Sequence, residues 1–221
     1  MFRKELAYYF STPIAYIVIG LYLLAVSLFL WVIPGQWNII DSGYAQTDGL
    51  FQLSPWLMML LCPALTMRLF SEERQSGTWD ILMVQPISMT RLVAGKFLAA
   101  WTLMLLALLP NLVHYFIVYA IAEPIGNIDG GQFAGSFIGL IMLSGTFLAI
   151  AMVAGCWTKS QIVAFVLGTL ACFVLYWTVL QHFYEAVSRG VIDLRDVLVF
   201  AAVSIVCLAG TVLILNKISH R

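Results

Sequence analysis

The sequence predicts an all-α integral membrane fold with six transmembrane helices, and three observations predict it. First, hydrophobic residues fill 62% of the 221 positions and charged residues only 10%, whereas a soluble domain runs near roughly 45–50% apolar and 25% charged. So much apolar surface cannot be hidden in one water-soluble core, and lipid must be the solvent for most of the chain. Second, six runs reach the length of about 20 residues that a helix rising about 1.5 Å per residue needs to cross hydrocarbon. Third, these runs are continuously apolar rather than alternating. Bare backbone is too costly in lipid, so only helices or a closed barrel can span, and the missing alternation selects helices. A soluble enzyme, a disordered regulator and a secreted disulfide scaffold are excluded. Eleven basic and eleven acidic residues cancel to zero net charge, so nothing points to nucleic acid as a partner.

In chain order, residues 1–12 come first. Phe2, Leu6, Tyr9 and Phe10 share one helical face and Arg3, Lys4 and Glu5 another, which suits a short helix lying in the membrane interface. The spans follow at residues 14–33, 54–70, 92–122, 133–157, 162–180 and 197–215, within one transmembrane domain over 1–221. The first stops at Pro34-Gly35. Ser54 and Pro55 read as the N-cap and first helical position of the second, and Cys62-Pro63 predicts a kink in it. The third carries Lys96 near its start and Pro110-Asn111 near its middle, where a proline removes a hydrogen bond and kinks the helix. Cys62, Cys156, Cys172 and Cys207 sit singly inside apolar runs, the pattern of packing residues rather than of disulfides or metal ligands. No metal site is expected.

Lys and Arg set the orientation. Arg3, Lys4, Lys217 and Arg221 at the termini, Arg68, Arg74, Arg91 and Lys96 around the link between spans two and three, and Lys159 between spans four and five fall on one side. The other side has only Arg189 and Arg195, against Asp41, Asp48, Glu123, Asp129, Glu185, Asp193 and Asp196. Both termini are therefore expected in the cytoplasm.

Residues 71–91, between spans two and three, read SEERQSGTWDILMVQPISMTR. Gly77 breaks or turns the chain after Glu72, Glu73 and Arg74. Thr78 can cap a new helix, with Asp80 in the first turn, where the helix dipole favours an acid. Trp79, Ile81, Leu82 and Met83 make the next turn partly apolar, and Pro86 closes it. The pattern is a short amphipathic helix held parallel to the membrane on the cytoplasmic side. The alternative is an ordinary connecting helix resting on lipid, against which its acidic end argues, since the inner leaflet is negative.

This segment resembles the cytosolic coupling segment of type-2 ABC exporter permeases, whose usual form is EE…GT.E.L…P.S. FRKELAYYFSTPIAYIVIG, NIIDSGYAQTDGLFQLSPW, PALTMRLFSEE, TKSQIVAF and SRGVIDLRDVLVF extend the resemblance, in chain order, over nearly all of residues 1–221. All five resemble the gliding-motility-associated ABC permease subunit, GldF. Two departures are visible: Asp80 stands where that family mostly has Glu, and Val84-Gln85 precede Pro86 where a Thr-Lys pair is common.

The resemblance implies the membrane half of an ABC system in a bacterial inner membrane. It implies a separate ATPase dimer, which holds the ATP and Mg, docked under a cytoplasmic coupling helix. A second permease copy or a related permease would face the first. Carried onto this sequence, the ATPase-coupling residues are Glu72, Glu73, Gly77, Thr78, Asp80, Leu82 and Pro86. The residues themselves agree on the division of labour. No GxxxxGK[ST] loop exists, since Gly95-Lys96 is followed by Phe97. This chain is expected to bind no cofactor and to hold no catalytic residue.

A second polar island, QHFYEAVSRGVIDLRD at 181–196, lies on the outer face. Glu185 and Arg189 are spaced to pair on one helical turn, Gly190 is a helix stop, and Asp193 can cap span six, with Arg195 and Asp196 in the first turn. The corresponding link of type-2 exporters resembles it, with short helices dipping into the outer leaflet. Two readings stand: an outer gate or docking surface for a periplasmic-facing partner, or a capped helical hairpin. Pro63, Pro110, Asn111 and His114 are candidate pathway or hinge positions. For His114 a bond to a neighbouring helix is the plainer reading. Small residues recur every four positions in span four (Gly135, Gly139) and span five (Ala164, Gly168, Cys172), as a dimer seam or as packing within the chain. Trp31, Trp37, Trp56, Trp157 and Trp177 fall near span ends, as an interfacial belt does.

Four functions compete. The first is an ABC permease that couples ATP hydrolysis to export or to force transmission. The second is a type-2 exporter of another kind, moving lipid, drug or polysaccharide. The third is an intramembrane enzyme, which needs paired catalytic groups that the spans lack. The fourth is a non-transporting membrane scaffold, against which the coupling segment argues.

Overall fold

The computed structural model describes residues 2–75, 77, 88–158, 160–187 and 193–219. Among these the chain is all-helical, at 87% helix and without strands. Helix α1 covers Phe2–Ser11, α2 Pro13–Trp31, α3 Ile39–Ser42, α4 Asp48–Gln75, α5 Met89–Leu108, α6 Leu112–Ile121, α7 Gly130–Trp157, α8 Gln161–Leu175, α9 Gln181–Val187 and α10 Leu194–Ser219. A 3-10 turn at Leu109–Asn111 joins α5 to α6, and a π-helical turn at Tyr176–Leu180 joins α8 to α9. Six stretches are long and apolar enough to cross a membrane: α2, α4, α5 with α6, α7, α8 with its π turn, and α10.

The bundle is organised around α7, which packs on α4, α5, α8 and α10. Two-thirds of the apolar windows of α4 and α7 are buried (67% each), against 11% for α10, so the core lies between the second and fourth spans and the sixth runs along its outside. Small residues allow the close approach. A Cβ on Gly168 would stand 3.1 Å from Pro63 Cβ and 3.5 Å from Ala151 Cβ, and Cys172 Sγ lies 3.5 Å from the Phe147 carbonyl. The small-residue stripe of the fifth span, with Ala164, Gly168 and Cys172 all buried, is therefore packing within the chain and not a seam between copies. The opposite face of α8 exposes Ile162, Val166, Leu170 and Phe173.

Two boundaries of the second span differ from the sequence reading. Ser54 is not an N-cap and Pro55 is not a first helical position, because α4 begins at Asp48 and runs through both Pro55 and Pro63. A proline inside a helix leaves the carbonyl four residues earlier without its N–H. For Pro55 that carbonyl belongs to Phe51, and the Tyr184 hydroxyl of α9 donates to it at 2.8 Å. With the partner supplied from another helix, the proline does not end the element. At the other end the helix continues beyond residue 70 to Gln75, since nothing in Ser71–Gln75 breaks it. Gly77, just beyond it, stands at φ +70°, a left-handed conformation that glycine adopts without cost. The third span is broken where Pro110 stands, by the 3-10 turn.

Candidate functional site: an ion-paired junction of three helices

Helix α1 is closed at its C-terminus by hydroxyls. Ser11 Oγ and Thr12 Oγ1 donate to the Tyr8 carbonyl at 2.9 and 3.1 Å, satisfying acceptors that a helix end leaves open. Pro13 then starts α2, where a missing N–H is harmless. This sharp joint folds α1 back against α2 and the start of α5. Two tyrosines of α1 reach α4: Tyr9 donates to the Leu65 carbonyl at 3.3 Å, and Tyr8 to Glu72 Oε1 at 2.9 Å. Burial pushes the Tyr9 phenol above its ordinary range, and burial together with the Glu72 carboxylate does the same for Tyr8.

Lys96 sits where these helices meet. Its side chain is 2% exposed. Its Nζ lies 2.7 Å from Glu73 Oε1 on α4 and 3.1 Å from Glu5 Oε1 on α1, with the Phe70 ring centroid at 5.7 Å. A lysine so buried needs partners, because taking an ammonium out of water is costly unless paired carboxylates offset it. One cation thereby ties α1, the end of α4 and the start of α5. Beside it opens a cavity of about 250 Å³, bounded by Lys4, Tyr8, Arg68, Glu72 and Glu73.

Of the coupling residues read from the sequence, Thr78, Asp80, Leu82 and Pro86 lie outside the described residues, as does the coupling helix itself. Glu72, Glu73 and Gly77 are described. Glu72 and Glu73 belong to the last turns of α4, and Glu73 points inward to Lys96 rather than only toward a partner surface. The junction therefore flanks the coupling segment on both sides, through the end of α4 and the start of α5. Sequence reasoning used Glu5 and Tyr9 only to define the faces of an interfacial helix, did not single out Tyr8, and used Lys96 only as an orientation signal. The available clue was a single lysine followed directly by a long apolar run, since such residues at membrane depth carry partners.

Among the hinge candidates, Asn111 belongs to a separate polar chain. Asn111 Nδ2 donates to Tyr22 Oη at 3.2 Å, the Tyr22 hydroxyl meets Ser54 Oγ at 2.9 Å, and Ser54 donates to the Leu50 carbonyl at 2.7 Å. The Trp31 indole donates to His114 Nδ1 at 3.0 Å. His114 is thus bonded to a neighbouring helix, and the chain joins spans one, two and three. Pro63 packs against Gly168.

At the opposite end, Gln181 Nε2 donates to Glu185 Oε1 at 2.8 Å, and the Arg195 amide donates to Asp193 Oδ1 at 3.1 Å. Asp193 caps α10, with exposed Arg195 and buried Asp196 in its first turn. Arg189 and Gly190 lie outside the described residues.

Residues 39–216 match the family described as ABC-2 family transporter protein. The match holds both α4 and α5 of the junction, while α1 precedes it. No curated protein matches the chain significantly.

Proposed function

The chain belongs to the ABC-2 transporter family and is a membrane permease subunit of an ABC transporter, and from that premise we propose that its Lys96 junction transmits the motion of a docked ATPase dimer into the membrane. The family works with an ABC ATPase as a separate component. In this reading the ATPase docks from the cytoplasm under residues 76–87, and Thr78, Asp80, Leu82 and Pro86 meet it. The observation that carries the reading is the buried cation, Lys96, that joins α1, α4 and α5. A push on a segment whose two ends are pinned together moves three helices as one body rather than parting the second span from the third.

That rigid-body motion would open a pathway for export, or pass force to a protein on the outer side. The gliding-permease resemblance of the sequence supports force transmission. A second permease copy or a related permease completes the membrane part, ATP and Mg stay with the ATPase, and both termini face the cytoplasm of an inner membrane. The basic side chains at the α1 end, among them Arg3, Lys4, Arg68 and Lys217, support that orientation.

The test is a tagged pulldown from native membranes with an ATPase assay on the eluate. Charge reversal belongs at Asp80 rather than at Glu73, because Glu73→Lys would set a second cation against Lys96. Recovery of a P-loop ATPase with vanadate-sensitive turnover is expected, with both weakened in Asp80→Lys. Intact protein recovered without ATPase across several mild detergents would favour the scaffold function instead.

A further inference from the structure

At the end of the bundle away from α1, four parts of the fold close around a pocket of about 610 Å³. The link after α2 supplies Trp37, the start of α4 supplies Asp48 and Trp56, α7 supplies Gln132, and the π turn with α9 supplies Trp177 and Gln181. The volume lies inside the range of about 300–1,000 Å³ typical of small-molecule sites. Neither the Lys96 junction nor the Asn111 chain lines it.

Its chemistry is selective. Trp56 and Trp177 are inclined walls, with ring centroids 6.2 Å apart and planes at 58°. Phe173 stacks on Trp177 at 6.0 Å and 19°, which holds that indole in place. Asp48 Oδ1 accepts a bond from Gln132 Nε2 at 3.0 Å, and Gln181 Nε2 is engaged by Glu185 at 2.8 Å. With those amide nitrogens directed to carboxylates, Gln132 and Gln181 keep their carbonyl oxygens as acceptors. No lysine or arginine lines the pocket among the described residues. An anion entering it meets the carboxylates of Asp48 and Glu185 and π faces, with no basic side chain among the described lining residues to offset them. An apolar molecule strips water from Asp48 and the amides without replacing their bonds. A cation satisfies both features, since indole faces attract it and a fixed carboxylate neutralises it.

We propose that this pocket binds an organic ammonium group, with Trp56 and Trp177 against its carbon-bound face and Asp48 supplying the opposite charge. The same chemistry is offered by a free amine and by the choline or ethanolamine headgroup of a lipid. Trp56 and Trp177 are 43% and 57% exposed at the pocket wall, which leaves the site open to either source.

The experiment uses the full chain in nanodiscs of phosphatidylglycerol, which brings no ammonium. Choline and benzyltrimethylammonium are titrated by calorimetry and tryptophan emission. Saturable binding is expected, at least about tenfold tighter than that of the uncharged dimethylbutanol isostere of choline, and weakened about fivefold or more in Asp48→Asn and in Trp177→Leu. The thermal midpoint of each variant shows that it is folded. Adding phosphatidylcholine to the nanodisc separates the sources: competition assigns the site to a lipid headgroup, no competition to a free amine, and both keep the proposal. Equal affinity for choline and dimethylbutanol, unchanged affinity in a folded Asp48→Asn, or no saturable binding of either cation overturns it.

Discussion

Replacing Lys96 with methionine keeps the length of the side chain and deletes its charge, and the size of the effect follows from the junction's geometry. At an effective dielectric near 20, charges 2.7 and 3.1 Å apart attract by about 6 and about 5 kcal/mol. Against this stand the desolvation of three ions, several kcal/mol each, and the mutual repulsion of Glu5 and Glu73. The intact junction is therefore close to neutral in stability. The variant is not, because it takes from two carboxylates, 12% and 20% exposed, the one cation that both of them contact. Orphaning buried charge in this way costs about 3–5 kcal/mol, roughly two to three and a half orders of magnitude in the folding equilibrium. Adding Glu5→Gln and Glu73→Gln to Lys96→Met removes all three paired charges, and most of the loss should return, to within about 1–2 kcal/mol of the parent. Unfolding in nanodiscs measures all three proteins. A single variant costing under about 1 kcal/mol, or a triple variant as unstable as the single, would refute the reasoning. The triple variant also separates stability from transmission, because it should fold yet stimulate its ATPase less.

Other tests address the remaining contacts. Tyr184→Phe strips the donor from the Phe51 carbonyl that Pro55 leaves open and should cost about 1–3 kcal/mol. Adding Pro55→Ala restores a backbone N–H for that carbonyl, so the double variant should unfold at a higher temperature than Tyr184→Phe alone. Gly168→Val drives methyl groups toward Pro63 and Ala151, already 3.1 and 3.5 Å from an added Cβ. It should lower stability by about 1–3 kcal/mol without changing the number of copies seen by mass photometry. Tyr8 and Tyr9 have raised phenol pKa values, so the fold favours their neutral forms. The docking of α1 should be fully retained below the ordinary tyrosine pKa of 10 and be lost as pH climbs through the raised values. Protease protection of α1 in an alkaline titration reads this, and Tyr8→Phe with Tyr9→Phe should flatten it. A cysteine introduced at Gly190 should be labelled from outside intact cells and one at Ser76 should not, and the reverse pattern would invert the topology.

Composition and run length carried the fold class, because lipid leaves the backbone so few options that six apolar runs admit one architecture. Interior detail was less legible, for a common physical reason. Ser54-Pro55 carries the local signature of a helix start, yet the helix runs through it, since the missing bond is made good by Tyr184, distant in sequence by 133 positions. The stripe of Ala164, Gly168 and Cys172 states that something approaches closely, but only the position of Pro63 and Ala151 says what. Lys96 shows the same limit. Its burial hinges on Glu5, 91 residues away, and no local pattern links the two. His114 was legible as a choice between a bonded core histidine and a pathway residue, and the bond itself comes from Trp31, 83 residues away. The coupling residues Thr78, Asp80, Leu82 and Pro86 rest on motif alone.

The π turn at Tyr176–Leu180 gives the outer end of the fifth span a tolerance of length that side-chain chemistry does not convey. A π turn holds about one residue more than the α turn it replaces, and each residue of an α-helix advances the chain by about 100°. The extra residue is absorbed within one turn, so everything beyond keeps the direction of a regular helix one residue shorter. Deleting one of the five should let an α turn take its place, with Tyr184 still on the Phe51 carbonyl and Gln181 still at the pocket wall. The same deletion in the regular part of α8 has no such reserve and should turn both away by roughly that angle. A single gap in an alignment of relatives at 176–180 would thus mark a lost bulge, and a gap a few residues earlier a re-aimed helix.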